Sequence, residues 1–224
     1  VNDAPVMDAI SDQVIDEDTS LTLTLSASDV DGDTLTYSAS NGNADISVDG
    51  STLTVTPEAD FNGEINVDVT VTDGELFDST SFTITVNPVN DSPLLSFIPD
   101  VEFEEDGTST VPLSATDIDS ADLTFGVSGG LYIFAEINDS IITFSAAQDF
   151  YGSEEFTATV TDGELISSQT FTVTVEAVND APVISSIVGQ TIDEDSSLTI
   201  DLSATDIDGD ELIFSVSADN ASVE

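Results

Sequence analysis

The hexapeptide VNDAPV at Val1–Val6 returns as VNDSPL at Val89–Leu94 and as VNDAPV again at Val178–Val183. The copies start 88 and 89 residues apart, a period too long for a solenoid unit and typical of an independently folding sandwich domain. The chain is therefore predicted to be a tandem array of one domain type, with domains at residues 1–90, 91–179 and 180–224. The third copy is shorter than the period, and we expect the chain to be a segment of a longer polypeptide.

Between these hexapeptides, hydrophobic residues alternate with polar ones. Ile65, Val67, Val69 and Val71 show this alternation in the first repeat, and a second run extends over 82–86. A period of two places one face of a strand in a core and the other in water. Asp-Gly and Asn-Gly pairs separate such runs and indicate turns. The pattern predicts an all-β fold of tandem Greek-key sandwiches with about seven short strands in each complete domain.

Matching aromatic residues recur at equivalent places in the repeats, and we expect them to pack in the cores. They are Tyr37, Phe125 and Phe214, and the pair Phe61 and Phe150. The few tyrosines are expected to be buried or isolated. Tyr132 and Tyr151 are the candidates to test for contact with a sugar.

The composition excludes several classes of function. The chain has no Lys, Arg, His or Cys and carries 46 acidic residues, for a formal charge of −46. Because no basic residue can neutralise phosphate, nucleic acids and anionic membranes are unfavourable partners. A hydrophobic fraction of 39% nevertheless indicates a folded protein rather than an acidic disordered tail. Cations from solution must therefore compensate the charge.

Four acidic clusters recur in register. The first is Asp16-Glu17-Asp18 and the second is Asp29-Val30-Asp31-Gly32-Asp33, and each has a counterpart in all three repeats. The third is Asp73-Gly74-Glu75, and the fourth is the Asn-Asp pair of each hexapeptide. Solvated turn chemistry is one interpretation, since Asp, Asn and Gly are common turn residues.

The other interpretation is a cation site. These clusters supply only oxygen ligands, which suit Ca²⁺ with its six to eight oxygens, whereas Mg²⁺ demands tighter octahedral geometry and is the second choice. The EF-hand loop is excluded because its twelfth position, a bidentate Glu, is Ser40 when counted from Asp29. Zinc and copper would favour thiolate or imidazole ligands, and the chain has neither.

The motifs resemble a known family at this point. SASDVDGD at Ser26–Asp33, followed by LTYS at Leu35–Ser38, is similar to the cadherin pattern Ala-x-Asp-x-Asp-x-Gly-x-Asn leading into Tyr-Ser. VTDG at Val71–Gly74 resembles the later cadherin Ala-x-Asp-x-Gly, and the hexapeptide resembles the cadherin linker, shortened by one residue. The whole chain is similar to bacterial cadherin-like tandem repeats of large surface and secreted proteins. The cadherin Asp-Arg-Glu motif is missing, and Asp60 and Asp149 are its substitutes.

The resemblance implies sandwiches of the cadherin or immunoglobulin type, with Ca²⁺ bound between neighbouring repeats of an elongated rod. At the first junction it implies Glu17, Asp60, Asn90, Asp91, Asp117, Asp119 and Asp162 as ligands. At the second junction it implies Glu105, Asp149, Asn179, Asp180, Asp206 and Asp208. Asn2, Asp3, Asp29, Asp31 and Asp73 would serve a junction with a preceding domain.

The leading functional hypothesis is a calcium-dependent extracellular or cell-surface segment, in which Ca²⁺ stiffens a stalk or adhesin. A carbohydrate-binding module of a polysaccharide-associated protein is one alternative. Homophilic contact or assembly into an extracellular filament is another. An enzyme is not expected, because the acidic pairs recur in every repeat and no nucleophile–base pair can form without His, Cys or Lys. No membrane insertion is expected in this segment, since no apolar run is long enough to span a bilayer.

Overall fold

The computed structural model describes residues 1–41 and 43–217. All of the regular secondary structure in these residues is β-strand. The chain divides into two compact units, Val1–Asp91 and Ser92–Glu224. Each unit has its own hydrophobic core. No helix in the described ranges is long and apolar enough to cross a membrane. Part of the predicted third domain, residues 218–224, lies outside the described residues.

The described residues of the first unit form nine strand segments. They are β1 (Val6–Met7), β2 (Gln13–Asp16), β3 (Leu21–Thr24), β4 (Ala27–Ser28), β5 (Thr36–Ser40), β6 (Ala44–Asp49), β7 (Thr52–Pro57), β8 (Gly63–Thr72) and β9 (Phe77–Asn87). Segments β1 and β2 are halves of one interrupted strand, as are β3 and β4, so that the unit has the seven strands that were predicted. One sheet has the order β2-β9-β8-β5 and the other β3-β7-β6, while β1 pairs with β4.

The strand register explains why the alternation in the sequence gives a sandwich. The long hairpin of β8 and β9 runs from the pair Gly63↔Val86 to the pair Thr72↔Phe77. Its inward residues, such as Val67 and Ile84, are fully buried. Strands β3 and β7 pair antiparallel in one sheet, and β5 and β8 pair antiparallel in the other. The chain therefore crosses between the sheets from β3 to β5 and again from β7 to β8, which gives the Greek-key topology.

The second unit repeats this topology. Its strands are β10 (Leu94–Leu95), β11 (Val101–Glu104), β12 (Thr108–Pro112), β13 (Ala115–Thr116), β14 (Thr124–Gly129), β15 (Ile133–Asn138), β16 (Ile141–Ala146), β17 (Gly152–Thr161), β18 (Ile166–Glu176), β19 (Val183–Ile184) and β20 (Ala204–Thr205). The sheets have the orders β11-β18-β17-β14 and β12-β16-β15, β10 pairs with β13, and β19 pairs with β20.

Aromatic rings fill much of the second core. Phe144 packs edge-on against Phe156 with ring centroids 5.1 Å apart, and against Phe171 at 6.0 Å. All three rings are buried. These edge-to-face arrangements are the favoured geometry of aromatic pairs, because the positive ring edge meets the negative ring face.

The expectation of core packing holds for four of the five recurring aromatic residues. Tyr37 and Phe61 pack against the first core, and Phe125 and Phe150 pack against the second. It is wrong for Phe214, which is 43% exposed. Phe125 packs against the core cluster of the second unit. The described residues after 180 form only the two-residue pair β19–β20, which provides no opposing sheet for Phe214.

Candidate cation sites

Each complete repeat places a glutamate inside the protein, next to the following hexapeptide. Glu17 is 3% exposed and Glu105 is 5% exposed, and they are the buried charged residues of the described chain. The carboxylate of Glu17 accepts a hydrogen bond of 2.6 Å from the backbone N–H of Val89, and Glu105 accepts one of the same length from Val178. A buried carboxylate is costly unless it is hydrogen-bonded and paired with a cation. The chain supplies the hydrogen bonds but no cationic side chain.

Beside Glu17, three aspartates converge within the first unit. Carboxylate oxygens of Asp18, Asp60 and Asp91 lie within 4.8 Å of one another. Asp18 and Asp60 adopt the left-handed backbone conformation, with φ of 60° and 57°, and the N–H of Asp60 donates to the Asp18 carboxylate at 3.2 Å. Asp and Asn are among the residues that tolerate this conformation best, because their short polar side chains bond locally.

The second unit repeats this cluster and adds another. Oxygens of Asp106, Asp149 and Asp180 lie within 4.8 Å of one another, as do those of Glu105, Asp180 and Asp208. Asp106 and Asp149 have φ values of 59° and 56°, matching their counterparts in the first unit. Asp180 of the hexapeptide belongs to both clusters, so that four other carboxylates lie around it.

This crowding of like charges perturbs Asp180. Partial burial is the largest influence that raises its pKa above 3.8, followed by the charges of Asp149, Asp208, Asp106 and Glu105. Each of these carboxylates makes the ionised form of Asp180 less favourable. A cation among them would reverse that effect.

The Asp-x-Asp loops use one oxygen of their first aspartate to build a turn. Oδ1 of Asp29 accepts the backbone N–H groups of Asp31, Gly32 and Asp33 at 2.9–3.2 Å. Oδ1 of Asp117 likewise accepts two N–H groups. Turn chemistry is therefore present, as one interpretation predicted.

The second oxygen of these aspartates is not used by the turn. Oδ2 of Asp29 and Oδ2 of Asp117 are buried and have no hydrogen-bond partner among the described residues. An orphaned buried oxygen is uncommon in native proteins and indicates a missing water or ion. The turn thus explains the contacts of Oδ1 in each aspartate and leaves Oδ2 available to a ligand.

The loop that follows β8 has the same construction. Oδ1 of Asp73 accepts the N–H groups of Glu75 and Leu76 at 2.7 Å each, and its Oδ2 accepts the amide of Asn2 at 2.9 Å. The backbone donors of Leu76 and Glu75 are the main reason that the pKa of Asp73 is lowered from 3.8. Asp162 repeats the two backbone contacts in the second unit.

The hexapeptide is tied to the Asp-x-Asp loop of its own repeat. The N–H of Asp3 donates to the Asp31 carboxylate at 2.7 Å, and the N–H of Asp180 donates to Asp208 at 2.6 Å. Asn179 closes on the carbonyl of Asp180 at 3.0 Å. The linker backbone therefore places carboxylates from distant parts of the sequence next to one another.

Comparison with known proteins identifies the domain type. The Bacterial Ig domain family matches residues 2–87 and again residues 90–176. The chain belongs to the Bacterial Ig domain family. This confirms the expected tandem repeats of the bacterial cadherin-like and Ig-like kind, and the all-β sandwich fold.

One relative of these Bacterial Ig domains is a protein named as a chitinase. Chitinase A of Pseudoalteromonas piscicida is 32% identical over 160 residues, which are 69% of this chain and 19% of that protein. The chain thus spans about a fifth of the length of this curated relative.

Solved structures similar to these Bacterial Ig domains include cadherin ectodomains. Drosophila N-cadherin EC1-4 is 18% identical with a TM-score of 0.48, covering 80% of this chain and 50% of that one. Human Protocadherin-24 EC1-2 is 15% identical with a TM-score of 0.46, covering 77% and 98%. At these identities the likeness concerns the fold alone.

The predicted ligands of the second junction all lie in the second unit. The structure places Asp149, Asp180 and Asp208 in the two clusters that share Asp180, and Glu105 is a member of one of them. Asn179 donates to the carbonyl of Asp180, and the carboxylate of Asp206 accepts the backbone N–H of Asp208 at 3.1 Å. Among the predicted ligands of the first junction, four lie in the first unit and three in the second. Those in the first unit are Glu17, Asp60, Asn90 and Asp91, and those in the second are Asp117, Asp119 and Asp162.

The ligand sets that the resemblance implies left out three members of the clusters. Asp18 and Asp106 converge with predicted residues, and Asp33 lies within 4.8 Å of Asp29 and Asp31. The signal was present in the first case, because Asp18 recurs as the third residue of the cluster that begins at Asp16. The left-handed conformation that turns its side chain toward Asp60 could not be read from the sequence.

Proposed function

We propose that this chain is a calcium-dependent structural or adhesion segment of an extracellular protein, in which Ca²⁺ at the repeat junctions stiffens a multidomain stalk. The observation that carries the proposal is the cluster of Glu105, Asp180 and Asp208. Its oxygens lie within 4.8 Å of one another, one of its members is 5% exposed, and the chain has no basic side chain to compensate them. A divalent cation is the simplest group that makes this arrangement favourable.

The residues present fit Ca²⁺ on two counts. Every donor is a carboxylate, amide or backbone oxygen, as a hard cation of this size prefers. The orphaned Oδ2 atoms of Asp29 and Asp117 sit in the loops that would complete such sites. At the second junction Glu105, Asp149, Asn179, Asp180, Asp206 and Asp208 would hold the ions, with Asp106 added by the structure.

The same assignment is proposed for the other junctions. At the first one, Glu17, Asp60, Asn90, Asp91, Asp117, Asp119 and Asp162 would bind Ca²⁺, with Asp18 added. Asn2, Asp3, Asp29, Asp31 and Asp73 would serve a preceding domain. With the proposed domain limits at 90 and 179, each of these sites would lie where one repeat ends and the next begins.

The mechanism follows from the charges. Without a divalent ion, carboxylates from the repeat body, the linker and the next loop repel one another, and the linker is free to hinge. The ion binds their shared arrangement and stabilises it by mass action. Extracellular calcium modules bind with Kd values of about 10⁻⁴–10⁻³ M, so that about 2 mM Ca²⁺ would contribute roughly 0.6–1.8 kcal/mol per ion.

Small-angle scattering in about 2–5 mM Ca²⁺, a concentration suited to extracellular sites, and then in chelator tests the stiffening. We expect a longer and narrower distance distribution with Ca²⁺. Asp180→Asn should abolish much of the difference, because this residue belongs to two clusters. Asp201→Asn, an exposed residue outside the clusters, is the matched control. Identical profiles with and without Ca²⁺ in the unmodified chain would refute the stalk mechanism.

Association with a polysaccharide is a second candidate role. It is supported by the name of the relative Chitinase A, in which a sequence like this one accounts for a fifth of the length. Bacterial Ig domains are typically non-catalytic and exposed outside the cell, which is consistent with a supporting role beside a catalytic domain.

A further inference from the structure

The second repeat carries an exposed aromatic patch, which we define as Tyr132, Phe134 and Tyr151. These residues are 51%, 51% and 60% exposed. The expectation that the tyrosines are buried or isolated is wrong for Tyr132, which is half exposed and stacks on Phe150. Tyr132 and Phe134 are two positions apart at the start of β15, and Tyr151 directly follows Phe150, the ring on which Tyr132 stacks. Aromatic rings dominate binding energetics where they become covered, so exposed rings grouped in this way indicate an interaction site.

The patch is not a requirement of the fold, because the first repeat lacks it. Strand β15 starts with the pair Ile133↔Ala146 and its counterpart β6 starts with Ala44↔Pro57, which aligns the residues around them. Strands β17 and β8 likewise start with Gly152↔Val175 and Gly63↔Val86. At the three equivalent positions the second repeat has Tyr132, Phe134 and Tyr151, and the first repeat has Asn43, Asp45 and Asn62.

The loop that carries Tyr132 is held rigidly by one carboxylate. Glu154 accepts hydrogen bonds from the N–H groups of Leu131, Tyr132 and Ile133 at 2.8–3.2 Å. The carbonyl of Tyr132 accepts the N–H of Ala147 at 2.7 Å. Because the loop is already ordered, less conformational entropy is lost when a ligand binds to it.

The carboxylate of Glu154 stands where the fold would otherwise place a core residue. Its counterpart in β8 is Ile65, which is 2% exposed. Burial acts to raise the pKa of Glu154, but the three backbone donors outweigh it and the pKa is lowered from 4.5. In the second repeat, the apolar contact that Ile65 makes in the first repeat is therefore replaced by hydrogen bonds that hold the Tyr132 loop.

The ring of Tyr132 is presented with one face open. Its other face stacks on Phe150, with ring centroids 5.1 Å apart and an interplanar angle of 19°. Phe150 is itself packed against the core. Since Tyr132 remains half exposed, its outer face is a flat apolar platform supported from below.

Polar groups border the platform on the outer face of the sheet. Phe134 lies opposite Ser145 in the pairing of β15 with β16, and the next outward pair is Glu136 with Thr143. Directly opposed residues share one face of a sheet. Hydroxyl and carboxylate oxygens thus lie next to the aromatic rings.

We propose that this patch binds a neutral β-linked polysaccharide, whose flat pyranose rings stack on Tyr132 and its neighbours. The apolar face of an equatorially substituted pyranose matches an aromatic platform, and its rim of hydroxyl groups matches Ser145, Thr143 and Glu136. The formal charge of −46 selects against anionic polymers by repulsion. The inference rests on the second candidate role, association with a polysaccharide, and is independent of calcium binding, because none of these residues belongs to the acidic clusters.

Affinity electrophoresis of the full chain in gels containing hydroxyethyl cellulose, glycol chitin or carboxymethyl cellulose tests the proposal. We expect retardation by one or both neutral polymers, and the two gels distinguish a glucose chain from an N-acetylglucosamine chain. Carboxymethyl cellulose, which has the same backbone with negative charges, should retard the chain at least tenfold less. Tyr132→Asn and Phe134→Asp, which restore the residues of the first repeat, should each weaken binding about tenfold or more, the effect of roughly 1.4 kcal/mol.

Two controls keep the result interpretable. Phe77→Thr removes an aromatic residue that is 70% exposed in the first unit, and it should leave retardation unchanged. Tyr132→Phe keeps the platform and should also retain binding, which separates loss of stacking from loss of folding. Equal mobility in all gels, or equal retardation of the unmodified chain and Tyr132→Asn, would overturn the proposal. Self-association in sedimentation that Phe134→Asp abolishes would assign the patch to a second copy of this chain instead.

Discussion

The carboxylate of Glu105 accepts the backbone N–H of Val178 at 2.6 Å, so that a residue buried in the second repeat holds the start of the next hexapeptide. Glu17 makes the same contact with Val89. Two residues after Val178, the third hexapeptide carries Asp180, which shares a cluster with Glu105. One glutamate therefore positions the linker and contributes charge to the candidate ion site, and these two roles can be separated by substitution.

Glu105→Gln should have effects of opposite sign with and without Ca²⁺. In chelator the amide can still accept the Val178 N–H while the repulsion of Asp180 and Asp208 falls, so the free energy of unfolding should rise by up to about 1 kcal/mol. With Ca²⁺ the loss of a ligand charge should weaken calorimetrically measured affinity several-fold. Glu102→Gln, an exposed residue of β11, provides the control. A decrease of stability in chelator would contradict the repulsion argument.

Salt should stabilise the chain whenever divalent ions are absent. With 46 acidic residues and no basic side chain, the folded state is opposed by its own charge, and monovalent salt screens that repulsion. We expect the urea midpoint in chelator to rise steadily between about 10 mM and 1 M NaCl, as the Debye length falls from about 30 to 3 Å. A flat or falling midpoint would mean that the carboxylates are far enough apart to be solvated independently.

Acid should release the Tyr132 loop through Glu154. The pKa of this carboxyl in the folded chain lies below its ordinary value of 4.5, so its contribution to stability is fully present above pH 4.5. That contribution is lost as the pH falls through the lowered pKa, because the protonated acid is a poorer acceptor. Hydrogen exchange of the Leu131, Tyr132 and Ile133 amides should therefore accelerate, beyond its intrinsic pH dependence, in that window. Glu154→Gln should remove this dependence, and Glu155→Gln, an exposed neighbour, should preserve it.

Gly130→Ala should destabilise the second unit by roughly 1–3 kcal/mol, which is the usual cost of a strained left-handed residue. The cost is larger where the added methyl group also collides with neighbouring atoms. Gly130 has a φ of +77°, and an added Cβ would collide with the carbonyl oxygen of Ile133 and lie 2.5 Å from the ring of Phe156. Gly189→Ala is the control, since its φ is ordinary and no heavy atom lies within 4 Å of the added Cβ. Chemical denaturation measures both. Equal stability of the two variants would show that the loop relaxes around the added methyl group.

The sequence alone determined the strand-forming segments and the tandem arrangement. Alternating runs such as Ile65 to Val71 specify a strand with one buried face through local periodicity, and no long-range information is needed. The absence of His and Cys likewise restricted any metal site to oxygen ligands without reference to a structure.

Only the tertiary structure decided which acidic residues meet and which surface is available. Asp106 joins Asp149 and Asp180 because two left-handed turns and a linker hydrogen bond bring together residues more than seventy positions apart. In the sequence Glu154 is one more polar residue of a strand. Only the structure shows that it lies at the position that Ile65 fills in the first repeat, and that it accepts the backbone N–H groups of the loop that carries Tyr132. Periodicity reports the direction of a side chain relative to its own strand, whereas convergence depends on how strands, turns and linkers pack against one another, which is a property of the folded chain.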